Sequence, residues 1–178
     1  MQVRFSIARG QAVALDDSGE VLGTVQSILL DPDRGTVAGF YVSVTSGFMG
    51  FQTLFLSVND IVRWGTAIFV KRAAVLAEPD EFLRVKPLLE DTRKVLGQPM
   101  VTKSGTHLGR CKDIQFDTLH FRVHWFFPKG FFPWGTPVAA SDVLEITKTK
   151  IIVKDVVIPL EEEVKVPEVA LPRMPEAA

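Results

Sequence analysis

Gly19-Glu20-Val21-Leu22-Gly23-Thr24-Val25-Gln26-Ser27-Ile28-Leu29-Leu30-Asp31 is the stretch that decides the fold. A small turn feeds an extended apolar run through a second glycine, and the run stops at an acidic turn. The pattern returns as Gly105-Thr106-His107-Leu108-Gly109-Arg110-Cys111-Lys112-Asp113-Ile114-Gln115-Phe116-Asp117. Gly19, Gly23, Ile28 and Asp31 match Gly105, Gly109, Ile114 and Asp117 at one fixed offset. Two copies of one small β unit are implied.

The neighbours of each copy agree. Gly10-Gln11 matches Gly97-Gln98, Asp60-Ile61-Val62 matches Asp142-Val143-Leu144, and Thr66 to Lys71 matches Thr149 to Lys154. The offset changes only around connecting loops, where insertions and deletions are tolerated. Within the first copy, residues 11–15 read as a short strand. Asp16-Asp17-Ser18-Gly19 supplies turn chemistry, and residues 21–30 form a long strand. Its alternation is imperfect, with Ile28 and Leu30 in one phase and Val25 in the other. A slip near Gly23 reconciles them, because a glycine inside a strand favours a β-bulge. Further short strands are expected over 37–44, 53–56, 61–64 and 67–71. Frequent turns between them indicate a small barrel or sandwich.

Residues 78–95 differ. They are charged, with Phe82, Val85, Leu88, Leu89 and Val95 at roughly helical spacing. Pro87 breaks the pattern, so a helix is expected from about 87 to 94, ending at Gly97. The expected organisation is a first unit over 1–77, a helical connector over 78–95 and a second unit over 96–160. An acidic, proline-containing mobile tail over 161–178 completes it.

The 178-residue chain is 47% apolar, enough for a packed core, and carries a formal net charge of −1. That charge gives no basic field for nucleic acid or an anionic membrane. The single cysteine, Cys111, excludes an intrachain disulfide and fits a reducing cytoplasm. No secretory signal is expected at the N-terminus. Residues 36–59 carry no charge and are long enough to span a bilayer. Their β-branched composition and the run Thr45-Ser46-Gly47 favour strands. So do Arg122, His124 and Lys129 in the matching region.

These residues resemble the PRC-barrel family, whose signature is a glycine turn, an apolar residue with a second glycine, a strand and an acidic turn. The family's later apolar-Asp-apolar step looks like Val58 to Val62 and Ala140 to Leu144. The resemblance covers residues 11–159 as two copies. It implies an all-β protein: two small PRC-type, SH3-like β-barrels in tandem, joined by a short helical connector. Known members include the cytoplasmic domain of the photosynthetic reaction-centre H subunit and the C-terminal domain of a ribosome-maturation factor. Both imply a non-catalytic barrel that docks on other proteins in a bacterial or archaeal cell. The chain lacks the transmembrane helix of the one and the RNA-facing domain of the other.

No catalytic, cofactor or metal site is expected. His120 and His124, four apart on an expected strand, would lie about 13 Å apart, too far to share a metal. His107 and Cys111 fail on the same geometry. Cys111 aligns with Val25 and reads as a small buried hydrophobe. Asp16, Asp17, Asp31, Asp33 and Asp117 occupy turn positions that Asp favours for backbone bonding. Gly19 and Gly23 precede strand, whereas a phosphate cradle opens a helix.

Aromatic residues exceed what a core needs. Phe48, Met49 and Phe51 stand in the loop after the third strand of the first unit, and Phe131, Phe132 and Trp134 in the matching loop of the second. These six residues are the candidate interaction surface, while Phe55 and Phe127 read as strand core. The loops either dock a protein partner, a second copy or a membrane interface, or they cover their own barrel ends or pack the two units together. The leading function is a non-enzymatic interaction or assembly adaptor of the cytoplasm. One alternative is peripheral membrane association through the aromatic loops. The other is a ribosome- or RNA-associated role through Arg122, His124 and Lys129 beside Trp125 and Phe126, although nucleic acid is not the expected partner. No small-molecule substrate is evident.

Overall fold

The computed structural model describes residues 1–46, 50–130 and 135–155. The expected tail, 161–178, lies outside the described residues. The chain opens with strand β1 (Gln2–Arg4) and the single helical turn α1 (Phe5–Ala8). Six strands follow: β2 (Ala12–Leu15), β3 (Val21–Asp31), β4 (Thr36–Ser46), β5 (Gly50–Ser57), β6 (Ile61–Trp64) and β7 (Ile68–Val70). The connector holds α2 (Lys86–Glu90). Six more strands complete the chain: β8 (Pro99–Thr102), β9 (His107–Asp117), β10 (Val123–Lys129), β11 (Val138–Ala139), β12 (Val143–Ile146) and β13 (Ile151–Val153).

The protein is mostly β and forms two sheets. One has the order β5-β4-β3-β2-β7-β6, the other β11-β10-β9-β8-β13-β12, so the second repeats the first strand for strand. In each, one pair is parallel, β2 with β7 and β8 with β13, and the neighbours on that path are antiparallel. The irregularities also repeat. The β2–β3 register skips Leu22 and the β8–β9 register skips Leu108, each beside the repeated glycine. The β3–β4 register skips Gln26 and the β9–β10 register skips Lys112. The skip at Gln26 alone brings Val25 and Ile28 into agreement, so the phase change expected near Gly23 falls three residues later, and the skip at Leu22 is a separate bulge. Gly23 is glycine because a Cβ would sit 2.4 Å from the Ser43 carbonyl oxygen. At Gly109 it would sit 2.7 Å from that of Lys129.

Gln11 and Gln98 are twins as well. Gln11 Nε2 donates to the Gly65 carbonyl at 2.6 Å, and Gln98 Nε2 to that of Thr147 at 3.0 Å. Each side chain ties the entrance of its sheet to the turn between its last two strands.

Two expectations are corrected. Neither strand path closes: β5 does not pair with β6, nor β11 with β12, among the described residues. The copies also do not enclose separate interiors, because one hydrophobic core runs from Val3 to Val153 through both sheets. Its centre is aromatic. Phe40 and Trp64 of the first sheet meet Phe116 and Phe121 of the second, with ring centroids 5.7–6.5 Å apart. Such pairs contribute about 0.5–1.5 kcal/mol each beyond the area they bury. An open sheet has an apolar face to cover, and here each finds its cover across the junction.

Backbone joins the sheets at the same place. Thr36 bridges Arg122, Val37 N–H donates to the Phe121 carbonyl at 2.7 Å, and Val123 N–H donates to that of Gly35 at 2.8 Å. By the repeat offset (19 to 105, hence 35 to 121, 36 to 122 and 37 to 123), Thr36 faces its own counterpart Arg122, while Val37 bonds the counterpart of Gly35 and Gly35 the counterpart of Val37. The halves are therefore related by an approximate two-fold. Gly35 has φ 62° and Phe121 φ 56°. The left-handed conformation free for glycine is strained for phenylalanine. The ring that Phe121 adds to the aromatic centre offsets that strain.

The halves also exchange arms. β1 pairs antiparallel with β9 through Val3 and Phe116, although it leads into the first sheet. Asp113 fixes this arm: it accepts from Arg4 Nε at 2.8 Å, Ser6 Oγ at 2.6 Å and Ser6 N–H at 3.0 Å. The connector leads into the second sheet but lies on β3 of the first. There Arg93 donates to Asp33 at 2.6 and 2.8 Å and also binds Asp91. Residues 1–77 are thus not confined to the first sheet.

The connector is less helical than its spacing suggests. A 3₁₀ turn, Pro79–Glu81, with reciprocal Glu78 and Glu81 capping precedes α2, and α2 ends at Glu90. Asp91 accepts from Arg93 N–H at 2.8 Å, a local bond that competes with further helix.

Candidate interaction surface

β4 and β5 form an outer hairpin of the first sheet. Their register runs unbroken from Gly39 opposite Ser57 to Ser46 opposite Gly50. The base is anchored: Phe55 and Leu56 are fully buried, and Phe55 packs edge-on against Tyr41 and Phe82. Gly39 makes room for that ring, since a Cβ there would stand 2.2 Å from Phe55 Cζ. Residues 50–53 are all exposed, so the hairpin projects beyond the core. Phe51 lies opposite Thr45 and is 82% exposed. Of the six residues singled out by sequence, it is the one described. Phe48, Met49, Phe131, Phe132 and Trp134 lie outside the described residues.

Sequence reasoning looked for side chains and missed the backbone. Phe55 N–H donates to the Ala77 carbonyl at 2.8 Å, and Ala77 N–H returns to Phe55 at 3.3 Å. The main-chain groups of Phe55 therefore point away from β4. With strand periodicity those of Thr53 and Phe51 point the same way. Neither has a main-chain partner outside β4 among the described residues. Gln52 Nε2 donates to Glu78 Oε1 at 2.7 Å, which sets a carboxylate on this flank. The signal was present in the uncharged run 36–59. Its lack of charge is what leaves a sheet edge unguarded.

The second unit is built differently at the same place. β10 carries Pro128, although its interruptions at His124 and opposite Lys112 match those of β4 at Ala38 and opposite Gln26. Its partner β11 has only two residues. Phe126 is buried and Phe127 is half-buried beneath the Arg4 guanidinium, 4.0 Å from its ring centroid. The expectation that Phe127 is core is thus shifted by one residue, because the skip at His124 reverses the phase of β10.

The other residues considered for chemistry are placed as follows. Asp31 Oδ1 accepts from the N–H groups of Asp33 and Arg34. Its twin Asp117 accepts from those of Leu119, His120 and Arg122. His120 belongs to the turn before β10, not to a strand with His124. Both histidines approach Asp117, His124 Nε2 at 3.3 Å and His120 Nδ1 at 3.5 Å. Partial burial works to raise the Asp117 pKa, but the hydrogen bonds from His120, Leu119, His124 and Arg122 hold it at about 2. No group of three or more His, Cys, Asp or Glu side chains suited to a metal occurs among the described residues. Cys111 is fully buried, and burial reinforced by the Asp113 charge pushes its thiol up to about 12, far from a reactive thiolate. An open cleft of about 630 Å³ lies between the β3–β4 turn and the connector, lined by Asp31, Arg34, Asp60, Phe82 and Arg84 among others. No helix among the described residues is long and apolar enough to cross a membrane.

The chain matches no protein-family model, and no curated protein is similar to it.

Proposed function

We propose that this protein is a non-catalytic interaction or assembly adaptor built from two PRC-barrel-type, SH3-like units in tandem, acting in a bacterial or archaeal cytoplasm. The repeated glycine motif and the repeated strand order support the family reading. The observation that carries the function is the projecting β4–β5 hairpin, with Phe51 82% exposed. The ring of Phe51 contributes nothing to the core at that exposure. A partner surface gives it a role.

The test is capture from extract of the native host by immobilised wild type and by Phe51→Ser. A partner retained by wild type and lost with the variant is expected. Identical captures would contradict the reading.

A peripheral membrane role draws on the same residue, since an aromatic ring suits the bilayer interface. Flotation with liposomes separates the two: wild type floating, and Phe51→Ser failing to float, would favour the membrane. An RNA role draws less support, because Phe126 is buried and Phe127 is covered by Arg4. That leaves Trp125 as the accessible aromatic platform of the group.

A further inference from the structure

We infer that the outer face of the first sheet, across β3, β4 and β5, binds a neutral oligosaccharide. This rests on the reading of Phe51 as a binding residue and names the class of its partner. Thr24 lies opposite Ser43, and Ser43 opposite Thr53, so three hydroxyls form one row across three strands. Phe51 stands two residues from Thr53 on one side of this row, and Tyr41 two residues from Ser43 on the other. At roughly 3.3 Å per residue the two rings are rooted about 13 Å apart along the strands. The skip at Gln26 leaves both Gln26 and Ser27 exposed beside them. Val25 and Val42, which alternate with this set, are fully buried on the other side of the sheet. The outward side chains line a shallow groove of about 580 Å³.

The chemistry of the groove selects the ligand. None of its lining side chains is charged, and none of the polar ones makes a hydrogen bond among the described residues. Glu78 bonds Gln52, whose side chain alternates to the opposite face of β5. Hydroxyl and amide groups both donate and accept, which is what sugar hydroxyls require of a partner. The rings of Phe51 and Tyr41 offer apolar surface to the C–H face of a pyranose. Tyr41 is held edge-on by Phe55, with centroids 5.5 Å apart, so its ring is placed before a ligand arrives. A phosphate or carboxylate ligand would call for Arg or Lys, and a nucleic-acid strand for a basic track beside the rings. The groove has neither. The second sheet supplies the contrast. By the repeat offset, Thr24, Gln26, Ser27 and Ser43 correspond to Arg110, Lys112, Asp113 and Lys129, all charged. Tyr41 corresponds to Phe127, whose ring lies beneath the Arg4 guanidinium. The aromatic position is common to both faces, but the first face is the one without charge.

Titration of the full chain with maltohexaose, cellohexaose, xylohexaose and mannohexaose tests this, read by the amide chemical shifts in nuclear magnetic resonance. The acidic hexagalacturonate is the control. At least one neutral sugar is expected to bind and to shift the amides around Ser43 and Thr53, and hexagalacturonate is expected to leave them in place. Phe51→Ala removes one ring from an exposed position and should raise the dissociation constant roughly fivefold or more. Ser43→Lys installs the residue of the second sheet and should weaken binding as well. Far-UV circular dichroism should be unchanged in both variants. The inference is overturned if none of the four neutral sugars binds, if the shifts map away from this face, if hexagalacturonate binds equally well, or if either variant leaves the affinity unchanged. A chain that binds no sugar but still loses a host partner with Phe51→Ser would leave the adaptor reading standing without this ligand. Sugar binding together with identical captures would do the reverse.

Discussion

The two sheets share strand order, bulge positions and a glutamine tie, yet their third and fourth strands differ in length and in where the bulky ring stands. In the first sheet β4 has eleven residues and β5 eight, Gly39 is small, and Phe55 fills the space beside it. In the second the repeat offset puts Trp125 at the position of Gly39. β11 begins after Pro137, just where a residue matching Phe55 would stand. The bulky ring has moved from one strand to its neighbour, and the strand that lost it has shrunk. A duplicated fold can therefore keep its core pairing while its outermost described strands differ in length, eight residues in one copy and two in the other. Function is better sought where the twins differ than where they agree.

The sharpest way to break this comparison is to give Gly39 a side chain. In Gly39→Val the new Cβ meets Phe55 Cζ at 2.2 Å and the Leu56 carbonyl oxygen at 2.5 Å, and the backbone atom has nowhere to go. A loss of about 3 kcal/mol or more is expected in urea unfolding. The reciprocal Trp125→Gly, at a ring 39% exposed, should cost about 1–2 kcal/mol. Equal losses would mean that the two positions are not built differently.

The junction supplies a second pair. Phe121→Gly relieves about 1–2 kcal/mol of left-handed strain but forfeits a ring worth about 3–5 kcal/mol, leaving a net loss of about 2–3 kcal/mol. Gly35→Ala has open space for its Cβ, so its cost of about 1–2 kcal/mol is conformational alone. A stabilised Phe121→Gly would show that the ring does not offset its strain.

The smallest effect concerns the acidic turn of the second unit. Asp117 is held at about 2 against an ordinary 3.8. Its contribution is complete above the unfolded value and is lost as pH falls from about 4 towards 2. The thermal-stability difference between wild type and Asp117→Asn should therefore be present at neutral pH and vanish near pH 2. A difference that is constant with pH would remove the charge from the account.

Much of the architecture was legible in the primary structure because a repeat repeats its reasons. Gly23 signalled a bulge in a long strand, and Asp31 and Asp117 signalled turns with local acceptors. What could not be read was long-range. Nothing in Gln2-Val3-Arg4 announces a strand for the second sheet, since its partner Asp113 is more than a hundred residues away. The joining of two cores into one was hidden because Phe40 and Phe116 each look like ordinary strand interior. The candidate surface was half legible: Phe51 stood out by type, but the open edge beside it is a property of hydrogen bonds that no side-chain pattern displays.

Hydrogen exchange of the full chain across a urea series tests most directly whether the twins form one structure. The amides of the two parallel pairs, β2 with β7 and β8 with β13, lie in the heart of the two sheets. Shared aromatic centre and exchanged arms predict that both sets merge into a single opening with the same free energy and the same urea dependence. Two separate openings, with one sheet exchanging while the other stays protected, would contradict it.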